Sequence, residues 1–335
     1  MQLADLPSRR TEAWKWSDLR AAMGGQETTL AGTGPIGSEG PIAAFAQLMG
    51  DAYGPVTQVI EAPGESFETA MTEGDVGQYG SVVVKSGATA LMIERVRVSG
   101  SSLRPIVPAF LRIEVEPGAT LHRVVVQTND AAGGVADAAI VLNEVTVKVG
   151  AGSTFRQFQL GEGSRLTRIE TTVEAGEGAQ IELNGVYLAS AKRHVDFTSR
   201  VAHAAAGIKT QQLVRGVARK GGRGVFQGKF LVERAGQKTD ADMQHNALLL
   251  EEGAEIFAKP ELEIYADDVA CAHGNTSGQL DEDAIFYLRQ RGIPHAEAQA
   301  MITRAFLIEA VPEWMGDDLR AEVEARIDRW LGAQA

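Results

Sequence analysis

The chain has 335 residues, 44% hydrophobic and 23% charged, which is enough for a large buried core with one or two small appended domains. Its formal net charge is −12 at pH 7, which argues against nucleic acid and anionic membranes as partners because an acidic surface repels phosphate groups. A single cysteine, no signal-peptide pattern and no apolar run of about 18 residues exclude a disulfide framework and predict a cytoplasmic protein without a membrane span.

The N-terminal part predicts short helices joined by a linker. Residues 7–19 form a short helix candidate whose two tryptophans are available for docking. Residues 24–40 are rich in Gly, Thr and Ser and indicate a loop or linker. Another helix is predicted over residues 42–49. We therefore assign residues 1–75 to an N-terminal helical region with a linker.

A strand-rich core follows from about residue 81. Apolar side chains alternate with polar ones at residues 81–84, 110–115, 145–149 and 181–188, and this period of two is typical of half-buried strands. The residues between the strands repeat a tetrad of Gly, small, polar and apolar residues. It begins at Gly87, Gly118, Gly152, Gly178 and Gly253.

The glycine spacing favours a stacked architecture. The first three intervals lie between 26 and 34 residues, and a glycine can adopt the left-handed backbone needed where a chain turns a corner. A β-helix fits this repeat better than a sandwich, although an antiparallel sandwich with chance glycine spacing stays open at this point. We place the β-helix core at residues 76–278.

Helical periodicity begins after the core, over residues 279–335. Asp281 supplies an N-cap with acidic residues in the first turn, and Gly292 ends that helix. A second helix is predicted over about residues 295–310. A third carries Leu319, Val323, Ile327, Trp330 and Leu331 at spacings of three and four. We expect these helices to cap the end of the β-helix, where unpaired backbone would otherwise be exposed.

The strongest candidate for chemistry is the pair Cys271 and His273. Residues two apart on a strand point to the same face, so a thiol and an imidazole can be presented together to iron, copper or zinc. A small buried cysteine beside a structural histidine is the alternative interpretation. A cluster or zinc ion generally has four ligands, so a metal held here would need further ligands from a partner surface.

Other polar motifs are interpreted as structural. Residues 222–230 resemble a phosphate-binding loop but lack its first glycine and its Ser or Thr, so a turn and strand are predicted. His194, His203 and His245 have no metal-ligand spacing. The carboxylates at residues 267–268 and 281–283 fit a turn and a helix N-terminus.

The run from residue 271 to residue 293 closely resembles the C-terminal signature of the SufB/SufD family of iron–sulfur cluster assembly proteins. Residues 215–217, 225–229, 239–241 and 259–264 match the same family in the same order, and residues 7–16 are similar to the start of SufD proteins. Clear similarity covers about residues 190–312. SufB-type proteins place a cysteine in the strand before this run. Residues 242–247 contain none, so the chain resembles the SufD branch.

The resemblance implies a right-handed parallel β-helix flanked by N-terminal and C-terminal α-helical domains. It also implies a non-enzymatic scaffold subunit that forms a heterodimer with a SufB-type subunit, with a transient iron–sulfur cluster built at their interface and none tightly bound to the isolated chain. His273 matches the family's candidate ligand, with Cys271 beside it. A SufC-type ATPase is expected on the C-terminal helices, through Phe286, Tyr287, Leu288 and Arg291. The isolated chain could be a homodimer.

Two other functions stay open from the sequence. The first is a purely structural β-helix subunit in which Cys271 and His273 are simply packed. The second is a carbohydrate-active β-helix enzyme, which is disfavoured because such enzymes are commonly secreted and the expected signal peptide is missing.

Overall fold

A computed structural model describes residues 6–23, 56–62, 64–72, 78–98, 106–130 and 138–332. The predicted linker over residues 24–40 and the predicted helix over residues 42–49 lie outside these ranges.

The described residues contain sixteen strands that form two parallel sheets, which confirms the predicted β-helix fold. Odd-numbered strands form one sheet, here called sheet A, and even-numbered strands form the other, sheet B. Each strand except those at the two ends pairs with the strands two before and two after it, so the chain winds alternately through both sheets. The strands are Val56–Ile60 (β1), Glu65–Thr72 (β2), Gln78–Val84 (β3), Thr89–Val98 (β4), Ile106–Val115 (β5), Thr120–Asn129 (β6), Ile140–Val149 (β7), Thr154–Gly161 (β8), Leu166–Ala175 (β9), Gln180–Ala189 (β10), His194–His203 (β11), Lys209–Ala218 (β12), Arg223–Val232 (β13), Asp240–Leu249 (β14), Glu255–Ile264 (β15) and Ala270–Gly278 (β16).

Two features of the sequence produce this winding. Alternate side chains point inward, where residues such as Val147, Phe155 and Phe197 are fully buried between the sheets. Full burial of one such side chain contributes about 1.5–3 kcal/mol. The five predicted corner glycines all have positive φ, between +64° and +83°, which confirms the backbone conformation expected of them.

The strands begin earlier than the sequence pattern indicated. β1 pairs with β3 and β2 pairs with β4, so both sheets extend into the first 75 residues, where the sequence predicted only helices and a linker. The motif at residues 222–230 lies in a turn and in β13, as predicted.

The N-terminal segment, residues 6–23, lies on the outer face of sheet A. The predicted helix over residues 7–19 is wrong: the structure has a 3-10 turn at Glu12–Trp14 and one helical turn, Leu19–Ala22 (α1). The segment is held instead by tertiary contacts. The guanidinium carbon of Arg168 lies 4.2 Å from the ring centre of buried Trp14. Trp16 stacks on Phe257 of β15.

The C-terminal helices form as predicted, but they pack on the side of the β-helix and not on its end. They span Glu282–Gln290 (α2), His295–Ile308 (α3) and Asp317–Gly332 (α4), and Asp281 caps α2 through backbone N–H groups of Asp283 and Ala284. The expected end cap is wrong. Leu307, Val323 and Ile327 pack on the outer face of sheet B, against residues such as Val124, Val126, Phe158, Leu160, Val186 and Leu188.

Candidate functional site

One end of the β-helix carries the last strand of each sheet. Within the described ranges, sheet A ends at β15 and sheet B ends at β16. Strands β13 and β14 have fully buried inward side chains, whereas most of β15 is half-buried and nearly all of β16 is exposed. We call this surface, formed by β15 and β16, the open end. It presents strand edges that pair with nothing else in the part of the chain that the structure describes.

Cys271 and His273 lie on β16 at the open end. Cys271 is in register with Ala241 and His273 with Met243, both of which are buried in the core. The two side chains therefore belong to the inward-facing set of the coil. No further coil among the described strands covers them, which leaves His273 exposed and Cys271 half-buried.

The two residues have different surroundings. Cys271 is half-buried and packs against the hydrophobic core, as Ile256 and Leu262 of β15 also do. Its burial, with a smaller contribution from Asp240, raises the pKa of the thiol. His273 is exposed. An incoming metal ion would therefore meet an open imidazole first and would have to displace a proton from the thiol.

The described residues supply an incomplete set of metal ligands here. No group of three or more His, Cys, Asp or Glu side chains is close enough to hold a metal ion in the residues that the structure describes. A thiol and an imidazole suit iron and other transition metals, but a cluster needs about four ligands.

The remaining histidines named from the sequence make structural contacts within the chain. His203 is buried, with Nε2 2.8 Å from Thr210 Oγ1. His194 Nε2 lies 3.2 Å from Ser17 Oγ, and buried His245 lies against Phe226. Burial lowers the pKa of each of these histidines to about 4. All three are neutral and internally bonded at pH 7, as expected of structural histidines.

The residues expected to meet the ATPase lie on α2 and at its C-cap, Arg291. Phe286 and Tyr287 are 62% and 57% exposed, and Arg291 lies 4.5 Å from the Tyr287 ring and bonds to its hydroxyl. Leu288 is half-buried, and Ile285, one turn before it on the same side of the helix, is buried. This surface is chemically suited to a protein partner because aromatic side chains and arginine are enriched in interfaces.

The sequence reasoning missed one residue of the open end. Asn275 lies two residues beyond His273 on the same face, and its Oδ1 is 2.7 Å from Nδ1 of His245. The same period of two that linked Cys271 to His273 identifies Asn275 as the next member of the row.

Comparison with known proteins identifies the family. Residues 70–306 match the family model for the SufBD core domain of the SUF system of FeS cluster assembly. The chain is 35% identical over 189 residues to the iron–sulfur cluster assembly protein SufD of Escherichia coli K12, a match that covers 56% of this chain and 44% of that protein. It is 32% identical over 162 residues to a SufBD family protein of Synechocystis, covering 48% of this chain and 36% of that protein.

A third relative matches over nearly the whole chain. A SufBD family protein of Mycobacterium bovis is 25% identical over 360 residues, covering 98% of this chain and 90% of that protein. The matches to the E. coli and Synechocystis proteins thus span less than half of those proteins. No helix in the described ranges is long and apolar enough to cross a bilayer. Two parallel sheets wound into a β-helix and a family match over residues 70–306 lead to one conclusion: the chain belongs to the SufBD family of iron–sulfur cluster assembly proteins.

Proposed function

We propose that this chain is a non-catalytic, SufD-type scaffold subunit that pairs with a SufB-type subunit through its open end. The observation that supports the proposal is the last coil itself, where two strand edges that have no partner among the described strands occur together with two potential metal ligands. Free edges readily pair with another chain, and proteins normally cover or blunt them. A partner docked there would cover both edges at once.

The nascent iron–sulfur cluster is the cargo of this interface. Cys271 and His273 would supply a thiolate and an imidazole, and the partner would supply the other ligands. Both side chains belong to the inward-facing set of the last coil, so a stacked partner would enclose them. Enclosure strengthens metal binding because it removes competing water. The cluster would be bound only transiently, because the described residues of the isolated chain offer no full ligand set.

A SufC-type ATPase would bind the exposed face of α2. Phe286 and Tyr287 are the proposed anchors, with Leu288 and Arg291 beside them. A cytoplasmic location fits a lone, unpaired thiol that has to stay reduced.

The deciding experiment replaces His273 with alanine. His273→Ala should still copurify with its partners but should lower maturation of a cluster-dependent enzyme by at least about tenfold, the effect of about 1.4 kcal/mol on an equilibrium. Ser277→Ala, on the same strand and face, is the matched control and should mature the enzyme normally. The assay uses cells in which the variant is the only copy.

A second candidate function is a purely structural subunit. The packing of Cys271 against the core favours it, because a half-buried thiol with a raised pKa is also what a simple packing residue shows. Normal enzyme maturation with His273→Ala would establish this candidate and reject the scaffold site.

A further inference from the structure

A row of hydrogen bonds runs through the inside of the β-helix and ends at the open end. Tyr187 on β10 lies with its hydroxyl 3.0 Å from Nε2 of His245 on β14, and Nδ1 of His245 lies 2.7 Å from Asn275 Oδ1 on β16. We propose that this Tyr187–His245–Asn275 chain positions β16, and with it Cys271 and His273, at the end of the solenoid. The consequence for cluster assembly rests on the proposed function, but the positioning of the strand does not.

The directions of the hydrogen bonds follow from the groups involved. The amide oxygen of Asn275 can only accept, so Nδ1 of His245 carries the proton and donates it. Nε2 is then the acceptor for the hydroxyl of Tyr187. Burial lowers the pKa of His245 to about 4, so the ring is neutral at pH 7 and has one donor and one acceptor. Both are used.

The interior is shaped so that Tyr187 can reach His245. Strand β12 lies between β10 and β14, and its residue in register with Tyr187 is Gly216. A Cβ atom at Gly216 would stand 1.8 Å from Cζ of Tyr187, and one at Gly224 would stand 2.3 Å from its Cε2. Two positions without side chains therefore provide the space that the ring occupies.

Aromatic contacts hold the middle of the chain in place. The Phe226 ring stacks on His245 at 4.7 Å between centres and 2° between planes. Phe197 meets the Tyr187 ring edge-on at 5.9 Å and 87°. With both rings fixed, the donor on His245 has a defined direction, and that direction is toward β16.

β16 depends on such a contact more than any inner strand of its sheet. It pairs with β14 alone in the described part of the chain, and its side chains are exposed apart from half-buried Cys271. The other side-chain bond to this strand joins Asn246 Nδ2 to Thr276 Oγ1 over 2.7 Å, on the exposed outer face. Water competes for that outer bond, whereas the donor on His245 is buried. Asn275 therefore fixes the register of the strand two residues from His273.

The test measures how often β16 opens. Cys271 is the sole cysteine of the chain, so the rate at which iodoacetamide alkylates the purified full-length protein reports on this strand alone. While the strand is in place, half-burial and a raised pKa make the thiol of Cys271 a poor nucleophile. Alkylation therefore proceeds chiefly from the open strand, and its rate follows the opening equilibrium. A dilution series separates strand opening from protection by a second copy.

Four variants give distinct expectations. Asn275→Leu should raise the rate about tenfold, the effect of losing one hydrogen bond to a buried donor. Tyr187→Phe, which keeps the ring and removes its hydroxyl, should raise it about threefold. Asn275→Asp retains an acceptor for His245 and should react within about twofold of the wild type, as should Thr276→Val, the matched loss of the outer bond.

Two results would overturn the proposal. One is a rate for Asn275→Leu within about twofold of the wild type; the other is an equal acceleration by Thr276→Val. Because alkylation needs neither a partner nor a cluster, the test stands apart from the proposed function. If the four alkylation rates match these expectations while His273→Ala supports normal maturation, the positioning of the strand is correct and the proposed scaffold site is wrong.

Discussion

A buried ion pair inside the solenoid allows a quantitative test of how its core is built. Arg123 on β6 and Glu94 on β4 are both fully buried, with Nε and Oε1 2.5 Å apart. The other nitrogens of Arg123 donate to Gln157 over 2.6 Å and to Asn143 over 2.8 Å, and Asn143 in turn donates to Glu94 over 2.8 Å. The guanidinium therefore bonds to three buried side chains, of which Glu94 carries the counter-charge.

Arg123→Met fills a similar volume but leaves the carboxylate of Glu94 without its counter-charge. Breaking a buried pair from one side costs about 3–5 kcal/mol, and we expect a loss of that size in the free energy of unfolding. Urea denaturation followed by circular dichroism would show a midpoint lowered by roughly 1 M. Arg156→Met is the control, because Arg156 pairs with Glu182 at 3.4 Å at the surface and such pairs contribute at most about 1 kcal/mol.

The double variant Glu94→Leu with Arg123→Met tests whether the lost stability comes from the uncompensated charge of Glu94. If the cost of the single change comes from an uncompensated charge, removing both charges should recover most of the stability. A single variant that loses no more than Arg156→Met would refute the interpretation. So would a double variant that is less stable than the single one.

Two further predictions concern the partner surface and pH. Phe286→Ser with Tyr287→Ser should lower copurification with a SufC-type ATPase at least about tenfold, since exposed aromatic anchors contribute about 2 kcal/mol or more to binding. The control Glu297→Ala on α3 should leave copurification unchanged. If the double variant still copurifies, the ATPase binds elsewhere. His122, His194, His203 and His245 each have a pKa lowered to about 4 from 6.5, so the unfolded chain takes up more protons and the free energy of unfolding should fall as pH drops from 6.5 toward 4. For fully buried His245 the loss at pH 5 is about 2 kcal/mol, and a urea midpoint that stays constant between pH 7 and pH 5 would contradict it.

The winding of the chain could be predicted from its sequence because local rules determine it. The corner glycines need only a left-handed backbone, and α2 needs only its cap at Asp281 and a stop at Gly292, so both were found. The N-terminal segment was mispredicted because Trp14 and Trp16 are placed by contacts with Arg168 and Phe257, residues that lie far away in the sequence.

The docking of the C-terminal helices was missed although the strands carry a signal for it. Residues 124–126 are three consecutive valines. Successive side chains of a strand point to opposite faces, so a strand with one solvent-exposed face would have a polar residue among them. Such runs indicate strands that are covered on both faces, and in the structure Val124 and Val126 lie under the helices. The buried ion pair was missed for the opposite reason. Charged residues such as Glu94 and Arg123 are expected at the surface, and only the contacts between coils show that they pair in the interior.

The placement of the helices bears directly on the proposed interface. If α2 to α4 capped the end of the solenoid, the last coil would be closed and the pairing edge would be lost. Since α4 and the end of α3 lie against sheet B from the side, the edges of β15 and β16 stay available in the described structure. The two edges are not equivalent. β15 contains Pro260, which cannot donate a backbone hydrogen bond and is the residue that proteins use to blunt an edge, whereas β16 contains no proline. Strand pairing with a partner is therefore favoured along β16, the strand that carries Cys271 and His273.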